Sequence, residues 1–149
     1  MASIQKITPC LWFDQNGKEA AEFYCSLFPN SKIVSTTPLV TEFILNGQKF
    51  MTLNGGPRFK FTEAISLMVN CDNQAEVDFF WEKLTENGGE ESMCGWLKDK
   101  YGLSWQIVPK QLMAIMSTGT PEQQKRAMDA FSNMRKLEMA TIEKAFKGL

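Results

Sequence analysis

One helix pattern is written twice in this chain, and that duplication restricts the fold more than any other feature. Ala20, Phe23, Tyr24 and Leu27 fall at i, i+3, i+4, i+7, the spacing of one apolar helix face. Val77, Phe80, Trp81 and Leu84 repeat it at the same distance further along in every case. The start signals repeat too. Asn16 can cap the first helix with Glu19 three residues on, and Asn73 with Glu76 can do the same for the second. Each helix runs into a turn signal, Pro29-Asn30-Ser31 and Glu86-Asn87-Gly88-Gly89.

The flanks match as well. Strands are predicted over Ile7 to Phe13 before the first helix and over Ala64 to Asn70 before the second. After the first helix come Lys32 to Thr36, Leu39 to Leu45 and Lys49 to Asn54, with Asn46-Gly47 as a hairpin signal. After the second come a weak strand near Glu91, then Gly95 to Lys98 and Leu103 to Pro109. Neither half could bury its sheet alone. The expectation is an α+β fold: two βαβββ modules forming a curved eight-stranded mixed sheet with helices outside, plus C-terminal helices. One domain, 1–149, would hold module one (about 5–57), module two (about 63–109) and a helical extension (about 110–149).

The chain has 149 residues, with 44% apolar and 22% charged residues, enough for one ordinary core and unlike a disordered chain. Its net charge is −1 and no basic run occurs, which argues against nucleic acid as a partner. No run of about 18 apolar residues and no apolar leader is present, so a cytoplasmic protein with no membrane partner is expected. Cys10, Cys25, Cys71 and Cys94 form no C-x-x-C pair and read as reduced thiols. There is no histidine, which removes the usual general base and the commonest transition-metal ligand together.

Strand alternation sorts the two faces of the sheet. Leu11 and Phe13, Met51 and Leu53, Ile65, Leu67 and Val69, and Trp105 and Ile107 are expected to face the helices. That leaves an inner trough lined by Thr8, Cys10 and Trp12, by Phe50, Thr52 and Asn54, by Ser66, Met68 and Asn70, and by Ser104, Gln106 and Val108. Hydroxyls, amides, a thiol and aromatics suit a small organic ligand with a few polar groups. A partner chain or the chain's own loops filling that face is the alternative.

Three segments carry a resemblance: Ile7-Thr-Pro-Cys-Leu-Trp-Phe13, then Phe50-Met-Thr-Leu-Asn-Gly-Gly-Pro57 with Phe59-Lys-Phe61, and the block from Cys94 to Pro109. Together with the paired modules they resemble the vicinal oxygen chelate superfamily of glyoxalases, ring-cleaving dioxygenases and bleomycin or fosfomycin resistance proteins. Within it the chain is similar, over about 5–148, to the PhnB-like subgroup, often labelled a 3-demethylubiquinone-9 3-methyltransferase domain. The resemblance implies a divalent metal held by His or Glu on the first, fourth, fifth and eighth strands. Here Thr8, Thr52, Ser66 and Gln106 stand at those positions. A register shifted by two gives Cys10, Asn54 and Met68. None is an anionic donor except Cys10 as a thiolate, so no tightly bound catalytic metal and no cofactor are expected. A weak Mg²⁺ or Ca²⁺ site at exposed carboxylates stays open, though nothing specific points to one. Gly55-Gly56-Pro57 lacks the following helix that an adenosylmethionine loop would open, so the methyltransferase label has little support in the residues. Relatives often carry His where this chain has Arg58, which can reach an anionic ligand at the trough mouth. The loop around Ser35-Thr-Thr-Pro-Leu39 is shorter than in many relatives.

Beyond Pro109, Gln111 to Met116 reads as a short helix, and Thr120-Pro121-Glu122-Gln123 as a capped helix start with Ala127, Phe131 and Met134 as its stripe. A final helix is predicted from Thr141 to Phe146. Met113, Met116, Met128, Met134 and Met139 suggest an adaptable face for a homodimer, with packing on the chain's own sheet as the alternative. Four functional readings follow. The first is a metal-free binder of a small molecule through Thr8, Cys10, Trp12, Thr52, Asn54, Arg58, Ser66, Met68, Trp96 and Gln106. The second is an enzyme of the superfamily that recruits Cys10, Glu42 or Cys94. The third is a structural dimer without a ligand, and methyl transfer is a distant fourth.

Overall fold

A computed structural model describes residues 3–149. It contains β1 (Cys10–Phe13), α1 (Gly17–Leu27), β2 (Lys32–Thr36), β3 (Val40–Leu45), β4 (Gln48–Asn54), β5 (Ser66–Cys71), α2 (Gln74–Thr85), β6 (Glu90–Glu91), β7 (Trp96–Lys98), β8 (Ser104–Pro109), α3 (Lys110–Thr118), α4 (Pro121–Phe131) and α5 (Met139–Lys147). Both βαβββ modules are present, and the fold is α+β. Hydrogen bonding divides the eight strands into two four-stranded mixed sheets, β1-β4-β3-β2 and β5-β8-β7-β6. One compact unit ends at Phe61; the second spans Thr62–Leu149 and includes the C-terminal helices. Among the described residues, no helix is long and apolar enough to cross a membrane.

Module one is built on β1 pairing in parallel with β4 and on two antiparallel ladders that carry the sheet out to β2. The hairpin at Asn46-Gly47 forms as its sequence predicts, with both residues at positive φ. Ala20, Ala21 and Tyr24 of α1 are fully buried, as is Phe43 of β3, and its stacked neighbour Phe50 of β4, 5.5 Å away, is buried too. The first strand is shorter than predicted. Thr8 lies outside it, because Pro9 has no N–H to extend the ladder.

The N-terminus of α1 is the first departure from expectation. Asn16 makes no side-chain cap. Instead Asn54, at the end of β4, accepts the Gly17 N–H on Oδ1 at 2.9 Å, and its Nδ2 donates to the Pro38 carbonyl at 3.1 Å. The approach is close enough that a Cβ on Gly17 would sit 2.6 Å from Thr52 Oγ1. Thr52 and Asn54 therefore face α1.

Module two repeats the pattern with β5 parallel to β8. Here α2 is capped as its sequence predicts: Asn73 Oδ1 accepts the Glu76 N–H at 2.9 Å, while the Glu76 carboxylate takes the Asp72 N–H at 2.7 Å. Val77, Phe80, Trp81 and Leu84 are buried against Leu97, Trp105 and Ile107 of the sheet. Trp81 Nε1 donates to Glu91 Oε1 at 2.5 Å, which fixes Glu91, Leu97 and Trp105 on the α2 side.

The extension closes on module two. Thr120 and Gln123 form the reciprocal capping box of α4, with Pro121 at its first position. A second core gathers Val108, Leu112, Ala127, Leu137, Met139 and Ile142, with Met116 and Met134 partly buried against it. The segment between α4 and α5 is tied down by backbone groups. Cys94 N–H donates to Met134 O at 2.7 Å and Gly95 N–H to Arg135 O at 2.8 Å. Gln74, at the start of α2, gives its Nε2 to Leu137 O and accepts the Met139 N–H on Oε1, both at 2.9 Å.

Candidate functional site

In module two, the face turned away from α2 carries one continuous row. Trp96 of β7 is opposite Gln106 of β8, and Gln106 is opposite Met68 of β5. The next row places Lys98 beside Ser104 and Ser104 beside Ser66. Gln106 Nε2 donates to Ser66 Oγ at 2.9 Å, which orients the amide and leaves its oxygen for another donor. Met68 stays 50% exposed and Trp96 half-buried. Ser104 Oγ is buried with no hydrogen-bond partner. Lys98 pairs with Glu63, and that partner and its charge raise the lysine above its ordinary value.

The hairpin that sets this register depends on a residue the sequence reading passed over. Asp99 is buried at the turn; its Oδ1 accepts the Tyr101 and Leu103 N–H groups at 2.8 and 3.1 Å, and its Oδ2 accepts Trp105 Nε1–H at 2.9 Å. An Asp before Lys-Tyr-Gly is a turn signal that sequence can offer; the distant indole donor is not.

In module one, Cys10 is opposite Met51 and Trp12 is opposite Leu53, both on the face turned away from α1. The fourth-strand assignment is corrected: Met51 and Leu53 share this open face, whereas Phe50, Thr52 and Asn54 face the helix. The physical reason is Gly17, whose missing Cβ lets α1 settle on two polar side chains, so a polar residue in β4 does not mark the open face. Trp12 Nε1 donates to Gly56 O at 2.9 Å, and its ring meets Phe59 edge-on at 4.9 Å. Gly55 lies directly against the indole, where any Cβ would collide with the ring. Arg58 is exposed, with its guanidinium 5.5 Å from the centre of the Phe59 ring. Thr8 is only half-buried and belongs to no strand.

Thus Trp96, Gln106, Met68 and Ser66 come together in one module, and Cys10, Trp12 and Arg58 share the open side of the other. Thr52 and Asn54 leave the set. The residues considered for acid–base work are not assembled. Partial desolvation pushes the Cys10 thiol up, away from the reactive thiolate. Glu42 is occupied by Lys49 at 3.8 Å and Ser35 at 3.4 Å, and Cys94 Sγ donates to Ser132 O at 3.5 Å.

Residues 5–108 match the family model described as 3-demethylubiquinone-9 3-methyltransferase. The PhnB protein from Bacillus cereus is 38% identical, with a TM-score of 0.64, over 70% of this chain and 99% of that one. The chain belongs to this PhnB-like family. The wider fold is that of the vicinal oxygen chelate superfamily. A glyoxalase-related enzyme from Fulvimarina pelagi shares it at 17% identity and a TM-score of 0.52, over 72% of this chain and 91% of that one. The fosfomycin resistance protein FosX from Listeria monocytogenes, whose structure contains Mn(II) and sulfate, shares it at 16% and 0.53, over 83% of this chain and 96% of that one. No curated protein matches the sequence significantly. Helices α3 to α5 lie beyond the segment that the PhnB-like family model matches.

The residues of this PhnB-like chain do not fit the divalent metal that the resemblance to the vicinal oxygen chelate superfamily implies. Thr8 is outside β1, Thr52 faces α1 with its Oγ1 beside Gly17, and Ser66 and Gln106 bond to each other. None brings a carboxylate or imidazole. Among the described residues, no group of three or more Cys, Asp or Glu is placed to hold an ion. Nor does the glycine pair form a cradle for adenosylmethionine. Gly55 and Gly56 give their N–H groups to Phe13 O and Asp14 O, at 2.9 and 3.1 Å, and the next helix begins only after β5.

Proposed function

We propose that this PhnB-like protein binds a small organic ligand on the open sheet faces of its modules, without a tightly held catalytic metal. The observation that carries this is the Trp96–Gln106–Met68 row. An indole and a thioether supply an apolar wall, and one oriented amide supplies direction, which is how small-molecule sites commonly combine the two. The chemistry asked of the protein is recognition and exclusion of water, since among the described residues Cys10, Glu42 and Cys94 form no nucleophile–base pair. Elemental analysis and mass spectrometry of the purified protein test both halves of the reading. A co-purifying organic molecule, or a thermal-shift hit weakened by Trp96→Ala and by Gln106→Ala, is expected. Stoichiometric zinc, iron or nickel held by the chain's own side chains would overturn it.

A homodimer through the extension is the companion reading. Met116, Met134 and Met139 pack inward, but Met113 and Met128 remain 52% and 46% exposed on α3 and α4. Light scattering on the protein at micromolar concentration decides the matter; a monomer removes the dimer.

A further inference from the structure

We infer that Arg58 gives module one a preference for a flat ring bearing an oxyanion, either a carboxylate or a phosphonate. The inference rests on the ligand-binding reading and narrows it. Its basis is the way the arginine is held. Arg58 stacks on Phe59, Phe59 packs edge-on against Trp12, and the Trp12 indole is pinned to Gly56 O. The loop beneath is fixed by the Gly55 and Gly56 N–H bonds to Phe13 and Asp14, and by Phe61 packed 5.4 Å from Phe13.

Of the chain's three arginines, Arg126 donates to the Ala145 and Phe146 carbonyls and Arg135 pairs with Glu91. Among the described residues, the Arg58 guanidinium has no hydrogen bond or ion pair beyond its stack. Lys60, two positions on, has no ion pair either, and Glu42 on the same open face is occupied by Lys49. An exposed arginine ordinarily loses entropy when it binds; one held by a stack on a pinned loop has lost part of it already. The planar fork then matches a carboxylate or phosphonate, and Phe59, still 57% exposed, offers a surface to the ring that carries it.

The test uses the full chain and three probes of one shape: benzoate, phenylphosphonate and neutral benzamide, titrated at low salt by ligand-observed NMR. The anions are expected to bind about tenfold more tightly than benzamide. Arg58→Gln should bring the anions down to the affinity of benzamide, Arg58→Lys should keep part of the preference, and added salt should weaken the anions alone. The melting temperature of each variant checks that it folds. The order of the two anions tells which oxyanion fits better. Equal affinity for anions and amide, or an unchanged ratio in Arg58→Gln, overturns the inference while benzamide binding keeps the broader reading. If none of the three binds, the inference falls, and the thermal-shift screen alone decides the broader reading.

Discussion

The two helix starts occupy matching places in the repeat and are used in opposite ways. Gly17 opens α1, and the residue at the same place in the second module is Gln74. Gly17 contributes by absence: without a Cβ, the helix settles on Thr52 and hands its first N–H to Asn54. Gln74 contributes by reach: its amide clamps the extension at Leu137 and Met139. Module two places another amide near the same corner: Gln111, in α3, donates its Nε2 to Asp72 O at 2.7 Å and caps no helix. One backbone pattern thus serves two tasks. Module one closes its helix on its own sheet, and module two uses the same corner to hold an added segment.

The largest test of this contrast is steric. Gly17→Val should destabilise the protein by about 2–3 kcal/mol in urea unfolding, since a side chain there meets Thr52 and Asn54 with no room to move. Little loss would mean that α1 does not sit as close as described. Next, Gln74→Ala should cost about 1–2 kcal/mol, because two backbone groups lose their partner. Hydrogen exchange should quicken at Met139, at the clamp itself. Unchanged exchange there would show that the extension is held without Gln74.

The caps sharpen the comparison at a smaller scale. Asn73→Ala and Asn54→Ala should each cost about 1 kcal/mol, whereas Asn16→Ala should stay within about 0.5 kcal/mol. Equal losses at Asn16 and Asn73 would break the asymmetry. The smallest effect is electrostatic. Hydrogen bonds from Lys136 and Gln74 hold the Asp78 carboxyl below its ordinary value. Its contribution is present above the ordinary Asp range, about pH 3.9, and is lost as pH falls through the lowered folded value. Asp78 and Lys136 are partly exposed, so the loss should be under about 1 kcal/mol. Asp78→Asn should remove that share of the acid sensitivity, and an unchanged acid limb in the variant would count against it.

Much of the architecture could be read from residues alone. The α2 stripe, the Asn73 cap, the Asn46-Gly47 hairpin and the Thr120 capping box each have a local cause and form where expected, while in α1 Ala20 and Tyr24 are buried with Ala21 and the predicted Phe23 and Leu27 stay half-buried. In β1, β5 and β8 the alternation placed Leu11, Phe13, Val69, Trp105 and Ile107 on the helix side, but Ile65 falls outside β5 and is 60% exposed, and Val108, expected in the trough, packs into the core of the extension. It misled in β4, where both faces mix apolar and polar residues. The offset between the helices carries Ile107 back to Phe50, which does face α1, but it also carries Leu11 to Met68, on the opposite face of its sheet, so the repeat set no dependable register for the strands. Asn16 misled for a related reason. It has the right side chain in the right place, yet a residue from another strand reaches the orphan N–H instead.

By itself, the sequence determined the duplicated strand and helix order, the buried stripe of α2 and the lack of imidazole, because these depend on local spacing and residue type. Only the tertiary structure decided that Asn54 caps α1, that Gln74 clamps the extension, and that Arg58 is stacked on a pinned loop. Each of these joins residues far apart in the chain, and a hydrogen bond or ring contact of a few ångströms leaves no periodic trace in the sequence between them.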